Sequence, residues 1–114
     1  MLTQEELEIK IINKLISRSI YSEKLYNQFS NSKIIARNFS GCGFFTTFII
    51  NDINDIWGIF DKNYKLGCTF EMESLIDGAG AILFFKDGYM HVLEVYTYDE
   101  VWPKEIKDIK FNIS

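Results

Sequence analysis

His91 and Glu94 are the side chains of this 114-residue chain whose types and spacing come closest to acid–base chemistry. His91 is the single histidine, and Glu94 is an acid between Val92 and Tyr96 in an otherwise apolar stretch. Burying a carboxylate there without compensation is costly, so the fold must give Glu94 a partner, water or a raised pKa. A small hydrolase or transferase could use the two as base and acid. Yet one histidine without a Ser or Cys nucleophile beside it is poor material for a triad, and one histidine cannot build a usual zinc site. The simpler expectation is a structural His91 and a structural pair for Glu94, with Arg37 or a tyrosine hydroxyl. A place for Glu94 in a partner interface is the next reading.

Other motifs carry less chemistry. Cys42 and Cys68 are isolated, with no Cys-x-x-Cys, and read as reduced core thiols. Asn51 to Asp55 has the look of a calcium loop, but the required glycine and glutamate fall on Ile56 and Lys62, so a polar turn is expected. Gly41-Cys42-Gly43 precedes a strand, whereas a dinucleotide cradle wants a helix there, so the glycines predict a hairpin turn or bulge. No metal or other cofactor is expected. The run from Tyr96 to Pro103 sets Tyr96, Tyr98 and Trp102 beside Asp99 and Glu100. It suits either recognition of a basic protein surface or a corner plugged by Trp102 and stopped by Pro103.

The elements that position these residues can be read from pattern. Asp87-Gly88 predicts a type I′ turn, because both central residues need positive φ. Counting outward pairs Lys86 with Tyr89, Phe85 with Met90, Leu83 with Val92, Ala81 with Glu94 and Ala79 with Tyr96, and slips of one residue are excluded because they would exchange the faces. His91 then shares a face with Leu93 beside Phe84. Both faces are largely apolar, so this hairpin is expected to be central and at least partly covered on both sides. Ala79, Gly80 and Ala81 leave room for a large neighbour, either the rings of Tyr96 and Tyr98 or a helix.

Upstream, Thr3 and Glu6 form a capping box at the start of a helix. Leu7, Ile11, Ile12, Leu15 and Ile16 supply its apolar arc, and Glu6, Lys10, Asn13, Lys14 and Ser17 its polar one. Helical spacing resumes through Tyr21, Leu25, Tyr26 and Phe29 to about Asn31, either continuing the first helix or restarting at Ser22. Residues 33–39 and 43–51 are predicted strands, 56–60 a short edge strand or turn with Trp57 on the core, 64–72 an outer strand, and 107–113 a closing edge strand. Short connections demand antiparallel neighbours. The expectation is a single α+β domain, residues 1–114, with the helical segment on a curved antiparallel meander of five to seven strands.

Charge limits the partners. Residues 1–50 hold four acids and six bases, and residues 51–114 hold twelve acids and six bases. The acidic second half disfavours direct nucleic-acid binding and suits a basic protein. There is no leader-like start and no apolar run of membrane-spanning length, so a cytoplasmic location with no membrane contact is expected. Monomer and homodimer both remain open.

Three stretches together carry a family likeness: residues 41–48 (GCGFFTTF), residues 80–88 (GAILFFKDG), and residues 93–98 (LEVYTY) ending at Trp102-Pro103. Over about residues 41–103 they resemble small bacterial immunity proteins, encoded beside polymorphic or contact-dependent growth-inhibition toxins. Gly41, Gly43, Asp87, Gly88, Glu94, Tyr96, Trp102 and Pro103 are the residues of that likeness. It implies a non-catalytic protein that binds a cognate toxin domain, with a basic nuclease-like domain as the partner that acidic residues would match. Glu71, Glu73, Asp77, Tyr98, Asp99 and Glu100 are the expected contact residues. The alternatives are the hydrolase or transferase using Glu94 and His91, or a structural or regulatory subunit with a self-complementary apolar patch.

Overall fold

In the computed structural model, which describes residues 1–51 and 55–113, the chain begins with α1 (Gln4–Ser17) and α2 (Ser22–Ser30). Strands β1 (Ser32–Phe39) and β2 (Gly43–Ile50) follow, then a short 3-10 helix (Asp55–Trp57), β3 (Lys65–Glu71), β4 (Ala79–Lys86), β5 (Tyr89–Thr97) and β6 (Lys110–Phe111). The six strands form one antiparallel sheet in the order β1-β2-β5-β4-β3-β6. The architecture is the α+β fold expected, with two helices and not one. The calcium-loop comparison falls largely on residues 52–54, outside the described residues.

Local chemistry sets the helix limits. The Thr3 hydroxyl accepts from the Glu6 N–H at 3.1 Å, and the Glu6 carboxylate accepts from the Thr3 N–H at 2.9 Å, which closes the capping box. These hydrogen bonds hold the Glu6 carboxyl below its ordinary pKa. The break before α2 is fixed by Ser19, whose hydroxyl accepts from the Tyr21 N–H at 3.0 Å and also bonds the Tyr64 hydroxyl. Leu7, Ile11 and Leu15 of α1 and Leu25 of α2 are fully buried against Phe44, Leu83 and Leu93 of the sheet. Both helices lie over the same sheet face.

Asp87 and Gly88 have φ of 53° and 89°, as a type I′ turn requires. Lys86–Tyr89 and Phe85–Met90 pair as expected, but a bulge follows: Phe84 pairs with Val92, Leu83 with Leu93, Ile82 with Glu94, Ala81 with Val95, and Gly80 with Tyr96. His91 is the extra residue. The expected register is therefore wrong beyond Phe85, and the slip that had been excluded occurs at this point. Its cause is burial. Met90, Leu93, Val95 and Thr97 are all buried, and only an inserted residue brings an even and three odd positions to one face. Leu93 thus leaves the face predicted for it beside Phe84, and Val92, Glu94 and Tyr96 join Phe84, Ile82 and Gly80 on that face instead.

The hairpin is central, as expected, but one helical layer covers one face, and the second is covered only in part, by its own side chains. Ala79 and Ala81 lie buried on the helix side, while Gly80 sits under Tyr96, whose Cζ and Oη would be 2.4 Å from an added Cβ. The closing strand is shorter than residues 107–113. Before it, the chain is held to the segment preceding α1 by the Leu2 N–H on the Ile106 carbonyl at 2.8 Å and to α1 by Lys10 on Asp108 at 2.7 Å. Only Lys110 and Phe111 pair, with Glu71 and Phe70. Residues 56–60 make no edge strand; Trp57 ends the 3-10 helix and is half-buried. Among the described residues, no helix is long and apolar enough to cross a membrane.

Candidate protein-docking face

The sheet face turned away from the helices is built by alternation. In β2, Phe44, Thr46, Phe48 and Ile50 are buried, so Phe45, Thr47 and Ile49 fall on the open side, where Phe45 is 38% and Ile49 48% exposed. The bulge adds Val92, Glu94 and Tyr96 from β5, and β4 adds Ile82 and Phe84, the latter 36% exposed. Across the strands, Asn38, Phe45, Glu94, Ile82 and Gly67 form one row; Ala36, Thr47, Val92, Phe84 and Lys65 form the next. Phe45, Ile82, Val92 and Phe84 make the middle of these rows apolar around one acid, with Asn38 and Lys65 at opposite ends.

Tyr96 and Tyr98 bound it at one end, their rings edge to face with centroids 5.7 Å apart. The Tyr96 phenol is held above its ordinary pKa, first by burial and then by the neighbouring Tyr98 and Glu94. Beyond Tyr98 come the acids. Glu71 closes β3 and is exposed, Asp99 turns the chain with φ of 65°, and the Glu100 carboxylate accepts from the Ile76 and Asp77 N–H groups at 3.1 Å each. Glu100 therefore staples the loop before β4 to the loop after β5. Glu73 lies in that same loop and faces Lys107 at 3.7 Å, so this border is not uniformly acidic. The expected contact residues are brought to one end of the sheet, but Glu100 is held by the protein's own backbone.

The glycine turn and the aromatic exit belong to one structure. Gly41 has φ of 87° in the β1–β2 turn; its carbonyl accepts from the Trp102 N–H at 2.8 Å, and that of Cys42 accepts from the Thr97 N–H at 2.9 Å. Gly43 packs so closely on β5 that a Cβ would lie 1.9 Å from the Val95 carbonyl oxygen. Trp102 then packs edge-on against Phe44 at 5.4 Å and is half-buried, followed by Pro103. Trp102 plugs a corner, as one of the two readings had it, while Tyr98 stays 43% exposed.

Arg37 does not meet Glu94. It lies in register with Thr46, on the helix side, and its Nε and Nη2 donate to the Glu8 carboxylate at 2.9 and 2.7 Å. Thr46 and Gln4 donate to the same carboxylate, which is 2% exposed. The bonds to Glu8 raise the pKa of the guanidinium still further. Glu94 makes no hydrogen bond or ion pair among the described residues, so neither partner expected for it is present. Glu8 went unread in the sequence, although its spacing from Ile11, Ile12 and Leu15 places it on the apolar arc of α1. Gln28 was likewise missed: fully buried, it donates to the carbonyls of Trp57 and Gly88 at 2.6 and 3.0 Å and accepts from the Met90 N–H at 2.9 Å. It ties α2 to the hairpin turn.

His91 sits at the bulge and Glu94 among the open rows, and the clefts around Trp102, Ile59 and Glu73 include neither. Among the described residues, no three His, Cys, Asp or Glu side chains are grouped to hold a metal. Cys68 is buried, which pushes its thiol pKa up, whereas Cys42 is exposed and not in the core as expected. Ile82 and Phe84 are open-face residues for which cover was expected, and Phe45 and Ile49 of β2 lie on the same face. A layer count could have found them, since two helices cannot cover two faces of a six-stranded sheet. Set against known proteins, the chain matches no family model, no curated protein and no solved structure.

Proposed function

We propose that this chain is a non-catalytic, immunity-type protein that neutralises a cognate toxin domain in the cytoplasm by covering it. The observation that carries this reading is the uncovered apolar face running from Phe45 and Phe84 to Tyr96 and Tyr98 and bordered by Glu71 and Asp99. Exposed contiguous apolar surface with an asymmetric charged border is what a protein interface needs: the rings supply buried area and the border steers the encounter. A basic nuclease-like domain fits that border better than nucleic acid does, because phosphates would meet like charge. The hydrolase or transferase alternative gains no support from His91 and Glu94, which converge on no cleft.

The test is co-expression with a toxin-like reading frame adjacent to this one, read as growth. Protection by the native chain is expected, with loss in Phe45→Ala, Phe84→Ala and Tyr98→Ala and partial loss in Glu71→Lys and Asp99→Lys. Glu100→Lys is uninformative on contact because it also frees the Ile76 and Asp77 amides. Full protection by the Phe45→Ala/Phe84→Ala/Tyr98→Ala variant, with its fold intact by circular dichroism, would refute the reading.

A further inference from the structure

Two carboxylates of this chain stand among apolar side chains, and the fold treats them differently. Glu8 is given a guanidinium, a hydroxyl and an amide. Glu94 is given nothing. It stands in register between Phe45 and Ile82, with Val92 and Tyr96 beside it on the same strand and face. Half-buried and still reached by water, it needs no partner. Once a macromolecule covers this face, the same carboxylate is stripped of water, and such a group must be matched by a cation with hydrogen bonds.

We propose that the open face is a socket for an arginine of the protein partner, its guanidinium paired with Glu94 and its plane laid against the Phe45 ring. This rests on the reading of the face as the contact surface for another protein. Arginine fits better than lysine because its planar fork can engage both carboxylate oxygens while its face stacks on an aromatic ring. The Tyr96 ring, resting on Gly80, walls one side, and Val92 the other. A second copy of this chain is a poorer occupant. Two sheets stacked about a two-fold axis passing at Glu94 would set it against its mate, like charge on like charge, with Lys65 only at the far end of the next row.

The probe is N-acetyl-arginine amide, titrated into the full-length, isotope-labelled protein at low salt and followed by amide chemical shifts. N-acetyl-lysine amide and the uncharged N-acetyl-citrulline amide serve as controls. The expected result is a saturable shift centred on Phe45, Ile82, Glu94 and Tyr96, at least threefold weaker with the lysine amide and absent with the citrulline amide. Glu94→Gln keeps the size of the side chain and should weaken arginine binding at least tenfold, whereas Glu23→Gln, on α2 across the sheet, should leave it within twofold. Shifts confined to Glu71 and Asp99, equal binding by Glu94→Gln, or a concentration-dependent dimer that occludes these amides would each overturn the proposal. Arginine binding that persists while growth protection fails would refute the toxin reading and leave the socket standing.

Discussion

Removing the Arg37 guanidinium should cost far more than removing the carboxylate it serves. Glu8 is 2% exposed in the native fold, and in Arg37→Met only Thr46 and Gln4 are left donating to it, so a largely buried charge loses its counterion. Such losses run to roughly 3–5 kcal/mol, and because Arg37 itself is one-third exposed, water can enter its place and the lower end, about 3 kcal/mol, applies. In Glu8→Met the stranded group is the guanidinium, which can swing to solvent. That leaves mainly the buried Thr46 hydroxyl unmatched, a cost of about 1–2 kcal/mol. The double variant removes both charges from the interface between α1 and the sheet and should return to within about 1 kcal/mol of the native chain. With a urea slope of about 1.5 kcal/mol per molar, Arg37→Met should lower the unfolding midpoint by about 2 M. Equal midpoints for the two single variants, or a double variant no better than Arg37→Met, would refute the account.

Other expectations follow from single contacts. Gly43→Ala drives a Cβ to 1.9 Å from a β5 carbonyl, which no rotation relieves, and should cost more than about 3 kcal/mol in urea unfolding; Gly80→Ala meets only the end of the Tyr96 ring and should cost about 1 kcal/mol or less while lifting that ring. A thiol reagent should modify exposed Cys42 quickly and buried Cys68 only as the protein unfolds, measured by mass spectrometry against denaturant; modification of both together would contradict the burial assigned to Cys68. The carboxyls of Glu6 and Asp108 have folded pKa values below their ordinary 4.5 and 3.8, so their contribution to stability is full above that range and is lost as pH falls through the depressed values. Hydrogen exchange should show the start of α1 opening in acid, and Glu6→Gln should abolish the part of that dependence due to the capping box.

What could be read in the sequence was local. Thr3 with Glu6 marks a helix start within one turn, and Asp87-Gly88 marks a reversal by the φ values it permits, so both survive contact with the structure. The bulge at His91 was illegible because nothing in the local pattern requires it: Met90, His91, Val92, Leu93 and Glu94 alternate acceptably in either register. What decides is the helical layer, which must bury Met90 together with Leu93 and Val95. The partner of Glu8 was hidden for a similar reason, since Arg37 lies 29 residues on and only the register of β1 beside Thr46 brings it over α1. Glu94, more conspicuous in the sequence, drew Arg37 or a tyrosine hydroxyl as the expected partner, but the other side of the sheet already holds that arginine.

The misreading of the open face bears on function. Apolar alternation shows that a strand surface prefers to be covered, but does not say by what. In this chain the two surfaces of β2 are nearly matched in composition: Phe44, Thr46, Phe48 and Ile50 on one, Phe45, Thr47 and Ile49 on the other. The first meets α1 and α2; the second meets no element of the described fold. The two acids separate the cases further. An acid satisfied from within, as Glu8 is by Arg37, marks a surface that folding closes. An acid left without a partner among rings, as Glu94 is beside Phe45, stands on the surface that folding leaves open, and that contrast is what the proposed socket rests on. On the proposal of the arginine socket, replacing Glu94 by glutamine should weaken association and leave the folded core unchanged.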